Sequence, residues 1–94
     1  MFIISLDYHG SLDAIDAALP AHVEWLRDGY DRGLFLASGR KVPRTGGVIF
    51  AVGDRETIER KLDGDPFKQT GLATYDLTEF EPTMVADGLE RLRQ

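Results

Sequence analysis

Three features of this chain predict an α+β fold of the ferredoxin-like type, β-α-β-β-α-β, with a four-stranded antiparallel sheet and both helices on one face. Strand-like and helix-like hydrophobic periods follow one another in that order. Glycine, proline and aspartate punctuate them at short intervals. The length of 94 residues suits one core rather than two, so residues 1–94 read as a single domain.

The first strand is FIISLDY, residues 2–8. Its alternation puts Phe2, Ile4, Leu6 and Tyr8 on one face and Ile3, Ser5 and Asp7 on the other. After His9-Gly10, Ser11 can cap a short helical stretch carrying Leu12, Ile15 and Leu19. Proline is welcome in a first helical turn, so the main helix is expected to open at Pro20 and run to about Arg32, with Gly33 as a left-handed stop. LFLASG (34–39) and GGVIFAVG (46–53) read as the second and third strands, joined by the polar loop RKVPRT. The apolar run from Val48 to Val52 predicts burial on both faces. Asp54 is a suitable N-cap for a second helix through about Leu62, and GDPFKQTG reads as a turn plus one helical turn. ATYDLTEFE (73–81) is the expected fourth strand, ended by Pro82, and MVADGLERLR can add an amphipathic turn or two.

Composition narrows the function classes. A hydrophobic share of 43% with 29% charged residues is that of a globular chain and excludes disorder. Eleven basic against sixteen acidic residues leave a net charge of -5, which opposes attraction to phosphate backbones and argues against nucleic acid as a partner. No apolar run reaches membrane-spanning length, and the N-terminus lacks the basic start of a signal peptide, so the cytoplasm is the expected compartment. The absence of cysteine removes thiol chemistry and disulfides. Helices cover one side of such a sheet, yet apolar residues occur on both sides of the first and third strands. A second copy is the simplest cover, and two sheets face to face would enclose space for small molecules.

Candidate chemistry centres on one helix stripe. His22, Trp25, Leu26, Gly29, Tyr30 and Gly33 follow three-and-four spacing, with Glu24, Arg27, Asp28 and Asp31 opposite. His22 is therefore directed inward, either as a packed core residue with a hydrogen-bond partner or as the working group of a small active site. If Pro20 is the first helical residue, His22 lies at the positive end of the dipole, a field that favours the neutral ring. Asp65 is the best candidate carboxylate to fix its tautomer. An aspartate before proline also serves as a turn or cap residue without any chemistry.

PAHVEWL, GLFLASG and GDPF, in this order and among these strands, resemble the YciI-related family over most of the chain. The resemblance implies a ferredoxin-like fold dimerising as an α/β barrel and a His-Asp pair in a pocket, here His22 and Asp65. It also implies a range of chemistry. Some relatives are lyases on chlorinated aromatic intermediates, and the wider superfamily includes muconolactone isomerases and small monooxygenases. This chain departs from the family where a Gly-Pro often follows the second strand: Gly39 is followed by Arg40, Lys41 and then Arg44. These are either a solvated loop or an anion clamp, since arginine can grip a carboxylate with two parallel donors.

Ser38 can orient a ligand or simply serve strand backbone, His9 reads as either a second proton carrier or an exposed strand-end residue, and Tyr8, Trp25, Tyr30 and Tyr75 read as core or pocket wall. His9 and His22 lack companion ligands at a recognisable spacing, so no metal site is expected. The expectation is a cofactor-free enzyme, a lyase or isomerase, moving a proton on a small anionic molecule through His22 and Asp65, with Arg40, Arg44 and Ser38 binding the substrate. The alternatives are a non-catalytic ligand-binding or accessory dimer, in which the pair only fastens helix to loop, and a cofactor-free monooxygenase.

Overall fold

The computed structural model describes residues 1–93. Strand β1 (Phe2–Tyr8) leads into helix α1 (Leu12–Asp31), followed by β2 (Phe35–Arg40), β3 (Gly46–Ala51), α2 (Arg55–Asp63), the one-turn α3 (Pro66–Gln69) and β4 (Ala73–Glu79). The four strands form one sheet in the order β2-β3-β1-β4, with every neighbouring pair antiparallel. This is the ferredoxin-like plan predicted from the alternating periods.

Period-2 alternation builds the core directly. Leu6 pairs with Gly47, Ile4 with Ile49 and Phe2 with Ala51, so these side chains share the helix-facing side. There they meet Trp25 of α1 and Ile58 and Leu62 of α2 in one buried cluster. Both long helices begin where a side chain satisfies an otherwise unpaired amide: Ser11 accepts from Ala14 N at 3.1 Å, and Asp54 from Thr57 N at 2.8 Å. Such caps are worth about 1 kcal/mol each. Gly33, at φ 72°, supplies the left-handed stop expected after α1.

Several elements differ from expectation. Pro20 does not open a helix but lies inside α1, which runs unbroken from Leu12. Proline removes the amide that would bond the Asp16 carbonyl, yet its ring is on the exposed side, where water can serve that oxygen. His22 is therefore mid-helix, and the dipole argument for a neutral ring does not apply to it. In β3, Ile49 and Ala51 are buried but Phe50 is 37% exposed, so burial within this chain is one-sided. Strand β4 stops at Glu79, and Phe80 then exchanges hydrogen bonds with the first residue, Phe80 N to Met1 O at 2.9 Å and the Met1 amine to Phe80 O at 3.0 Å. The tail forms a single 3-10 turn, Glu90–Leu92, and its Met84, Val85 and Leu89 border an apolar groove with Ile3 and Phe50 of the open sheet face.

Candidate functional site

His22 reaches its partner because α1 crosses the start of α3. Its Nδ1 is 2.8 Å from Asp65 Oδ1, across 43 residues of sequence. Asp65 is fully buried, and the same oxygen accepts from Phe67 N at 3.0 Å, so it caps α3 and holds the imidazole at once. Asp65 Oδ2 is buried without a hydrogen-bond partner among the described residues.

The imidazole plane is set by its neighbours. Phe67 stacks on one side at 4.1 Å between centroids and 9° between planes, and Trp25 lies at 5.4 Å and 27°. Trp25 is itself anchored, donating from Nε1 to Lys61 O at 2.8 Å. Pro66 and the Asp65 cap start α3, so one short segment, DPF, supplies both the acceptor and the stacking ring.

With Nδ1 committed to Asp65, the remaining ring nitrogen has no hydrogen bond to a described residue, and it is not among the solvent-inaccessible unpaired atoms. His22 lines a cavity of about 280 Å³ between α1 and the sheet. The helix side is Leu19, His22, Val23 and Leu26; the sheet side is Leu6 and Tyr8 of β1, Ser38, Gly39 and Arg40 of β2, and Gly47, Val48 and Ile49 of β3. Arg44 enters from the β2–β3 loop. This cavity is on the helix side of the sheet, within one chain, whereas the sequence pointed to enclosed space between two sheets.

The structure thus places His22, Ser38, Arg40 and Arg44 around one space, with Asp65 behind His22 and outside the lining. The arginines are not equivalent. Arg44 Nη2 is 2.6 Å from Asp16 Oδ1, which pushes the Arg44 pKa up, and its guanidinium is 6.0 Å from the Tyr8 ring centroid. Arg40 makes no side-chain hydrogen bond or ion pair with another described residue. Lys41 turns away to Asp7 at 2.8 Å, and His9 bonds Thr74 at the surface, 2.9 Å away. No group of three or more histidine, aspartate or glutamate side chains placed to hold a metal occurs among the described residues.

Two groups escaped the sequence reading. Lys61 is 7% exposed, donates to Trp25 O at 2.9 Å and Asp28 Oδ2 at 2.7 Å, and lies 4.9 Å from the Trp25 ring centroid. Its position three residues after Ile58, on the inner stripe of α2, was the available signal. Tyr30, read as core or wall, is 40% exposed and its hydroxyl is 2.7 Å from Ser38 Oγ. Nothing in the spacing of residues 30 and 38 announces that contact.

The family profile of the YCII-related domain matches residues 1–81. Among solved structures the chain is similar to 5-chloro-2-hydroxyhydroquinone dehydrochlorinase from Burkholderia phenoliruptrix AC1100, in complex with 2,5-dihydroxybenzoquinone, with a TM-score of 0.74 and 17% identity over 85% of this chain and 92% of that one. No curated protein matches. No helix among the described residues is long and apolar enough to cross a membrane.

Proposed function

Because the chain belongs to the YCII-related domain family, we propose that it is a small-molecule enzyme in which His22, oriented by Asp65, transfers a proton in an elimination or isomerisation of a small anionic substrate. The observation that carries this reading is the asymmetric imidazole, tied through Nδ1 to a buried carboxylate and unpaired at its other nitrogen on a cavity wall. A carboxylate accepting from Nδ1–H leaves Nε2 as the basic atom. Arg40, unpaired and on the same cavity, supplies the charge for an anion, and the largely apolar remainder suits a ligand of one ring or a short chain. This chemistry needs no cofactor.

Proton abstraction can be tested before any product is known. A panel of hydroxyquinones and 2-keto acids, including 5-chloro-2-hydroxyhydroquinone assayed for chloride release, is incubated with the protein in D2O and followed by NMR. Solvent deuterium should enter at a carbon, or chloride should be released, at a rate that His22→Asn lowers by about 100-fold or more and Asp65→Asn by about 10-fold. Activity unaffected by His22→Asn eliminates the mechanism.

A second reading rests on Asp65 capping α3. In a non-catalytic ligand-binding dimer the pair would only fasten that turn to α1, and both substitutions would lower Tm with no exchange in any panel member. The apolar open face, with Ile3 and Phe50, fits a second copy in either reading; sedimentation at micromolar concentration would return a monomer if it does not.

A further inference from the structure

The β2 wall of the cavity carries a hydroxyl pair that the proposed proton transfer has not used. Ser38 lines the cavity, whereas Tyr30, its 2.7 Å partner, stands behind it and does not. Tyr30 is placed by packing: its ring meets Phe35 edge-on, with centroids 6.1 Å apart at 85°. Phe35 in turn lies so close to α1 that a Cβ on Gly29 would fall 2.2 Å from its ring. Gly29, Phe35, Tyr30 and Ser38 therefore form a chain of contacts ending at a cavity-lining residue.

We infer that Tyr30 is a positioning residue that makes Ser38 a hydrogen-bond donor to the substrate, so that the β2 wall, with Arg40, receives the oxygen on which negative charge collects as His22 removes a proton. A phenol is more acidic than an aliphatic alcohol and so is the better donor of the two. With the Tyr30 O–H given to Ser38 Oγ, the serine hydrogen is left to turn toward the cavity. The helix wall then offers a base and the β2 wall two side-chain donors, Ser38 and Arg40. Such a site suits a ketone, or the keto form of a hydroxyquinone, with a proton on a saturated carbon next to the carbonyl: the proton passes to His22 Nε2, the C–H pair becomes the new C=C bond, and the carbonyl π pair settles on the oxygen held by Ser38 and Arg40.

This inference rests on the proposed function but can fail separately from it. The probe is 2,5-dihydroxybenzoquinone, an anionic molecule with four oxygen acceptors, titrated by calorimetry. Tyr30→Phe keeps the ring against Phe35 and should weaken binding about 3- to 10-fold, the range of one hydrogen bond. Ser38→Ala should cost as much, Ser38→Thr should bind within about twofold of the native protein, and Tyr30→Phe added to Ser38→Ala should cost nothing further. Equal losses from Tyr30→Phe with and without Ser38 overturn the inference, as does a Tyr30→Phe protein that binds like the native one while Arg40→Gln binds poorly. If the native protein fails to bind the probe at millimolar concentration, the anionic-substrate reading falls and the inference with it.

Discussion

The two walls of the cavity are built by opposite means. On the helix side, His22 and Asp65 are 8% and 0% exposed, hydrogen-bonded to each other, with the imidazole stacked between buried Phe67 and Trp25. On the β2 side, Ser38 and Arg40 lie on an edge strand whose residues beyond Leu36 are exposed, and Arg44 is held by an aspartate that is itself half in water. A buried pair is fixed by what its loss would leave unsatisfied, while a solvated charge is interchangeable with water. The same cavity thus has one wall fixed by burial, which the proposed function needs for its base, and one wall that water reaches, where the proposed anion would bind.

If that contrast is right, the largest effect should come from emptying the buried wall. Replacing His22 with alanine leaves Asp65 buried with the Phe67 amide as its one side-chain hydrogen-bond partner among the described residues, and opens a gap between Phe67 and Trp25. Breaking a buried pair from one side costs about 3 to 5 kcal/mol, so denaturant unfolding should register a loss of that order. A loss below about 1 kcal/mol would mean that the pair is solvated in solution and that the two walls do not differ in kind.

A smaller effect is expected on the solvated wall, in binding rather than stability. Arg40→Gln should weaken 2,5-dihydroxybenzoquinone by about 10- to 100-fold, the range for one charge-assisted hydrogen bond, with Tm nearly unchanged. Arg44→Gln should cost less, because Asp16 already occupies its guanidinium. Equal losses from the two would show that the ligand displaces Asp16, and the distinction between a free and a tied arginine would fail.

How much of this was readable in the sequence follows the same division. Strand alternation and the GDPF turn gave the sheet, the caps and the place of Asp65, because those depend on local period and backbone chemistry. Pro20 lies inside α1 and not at its start. A proline is compatible with both a first turn and an exposed helical position, and only tertiary packing of Ile15 on one side and His22 on the other decides between them. The Tyr30–Ser38 bond and the Arg44–Asp16 pair join separate elements through exposed tips, which no periodicity encodes. The cavity's position on the helix side was likewise invisible, since it depends on how far α1 stands from Gly47 and Ile49.

Lys61 and Asp28 form an intermediate case that can grade the contrast. The amine side is 6% exposed and the carboxylate side 56%, so the pair is half of each wall type. The Lys61 hydrogen bond lowers the Asp28 pKa below its ordinary value of 3.8, helped by the nearby Lys61 and Arg32 charges and opposed by desolvation. A carboxylate depressed on folding contributes stability that is present above its unfolded pKa and lost as pH falls through the folded value. Plots of Tm against pH for the native protein and Asp28→Asn should therefore stand apart at neutral pH and converge on acidification below the ordinary carboxylate range. Convergence would place Asp28 with the groups whose charge matters to the fold. A constant offset at every pH would instead assign its role to the hydrogen bond that asparagine's oxygen fails to keep, and a coincident pair of curves would put it among the interchangeable surface charges despite the buried amine it meets.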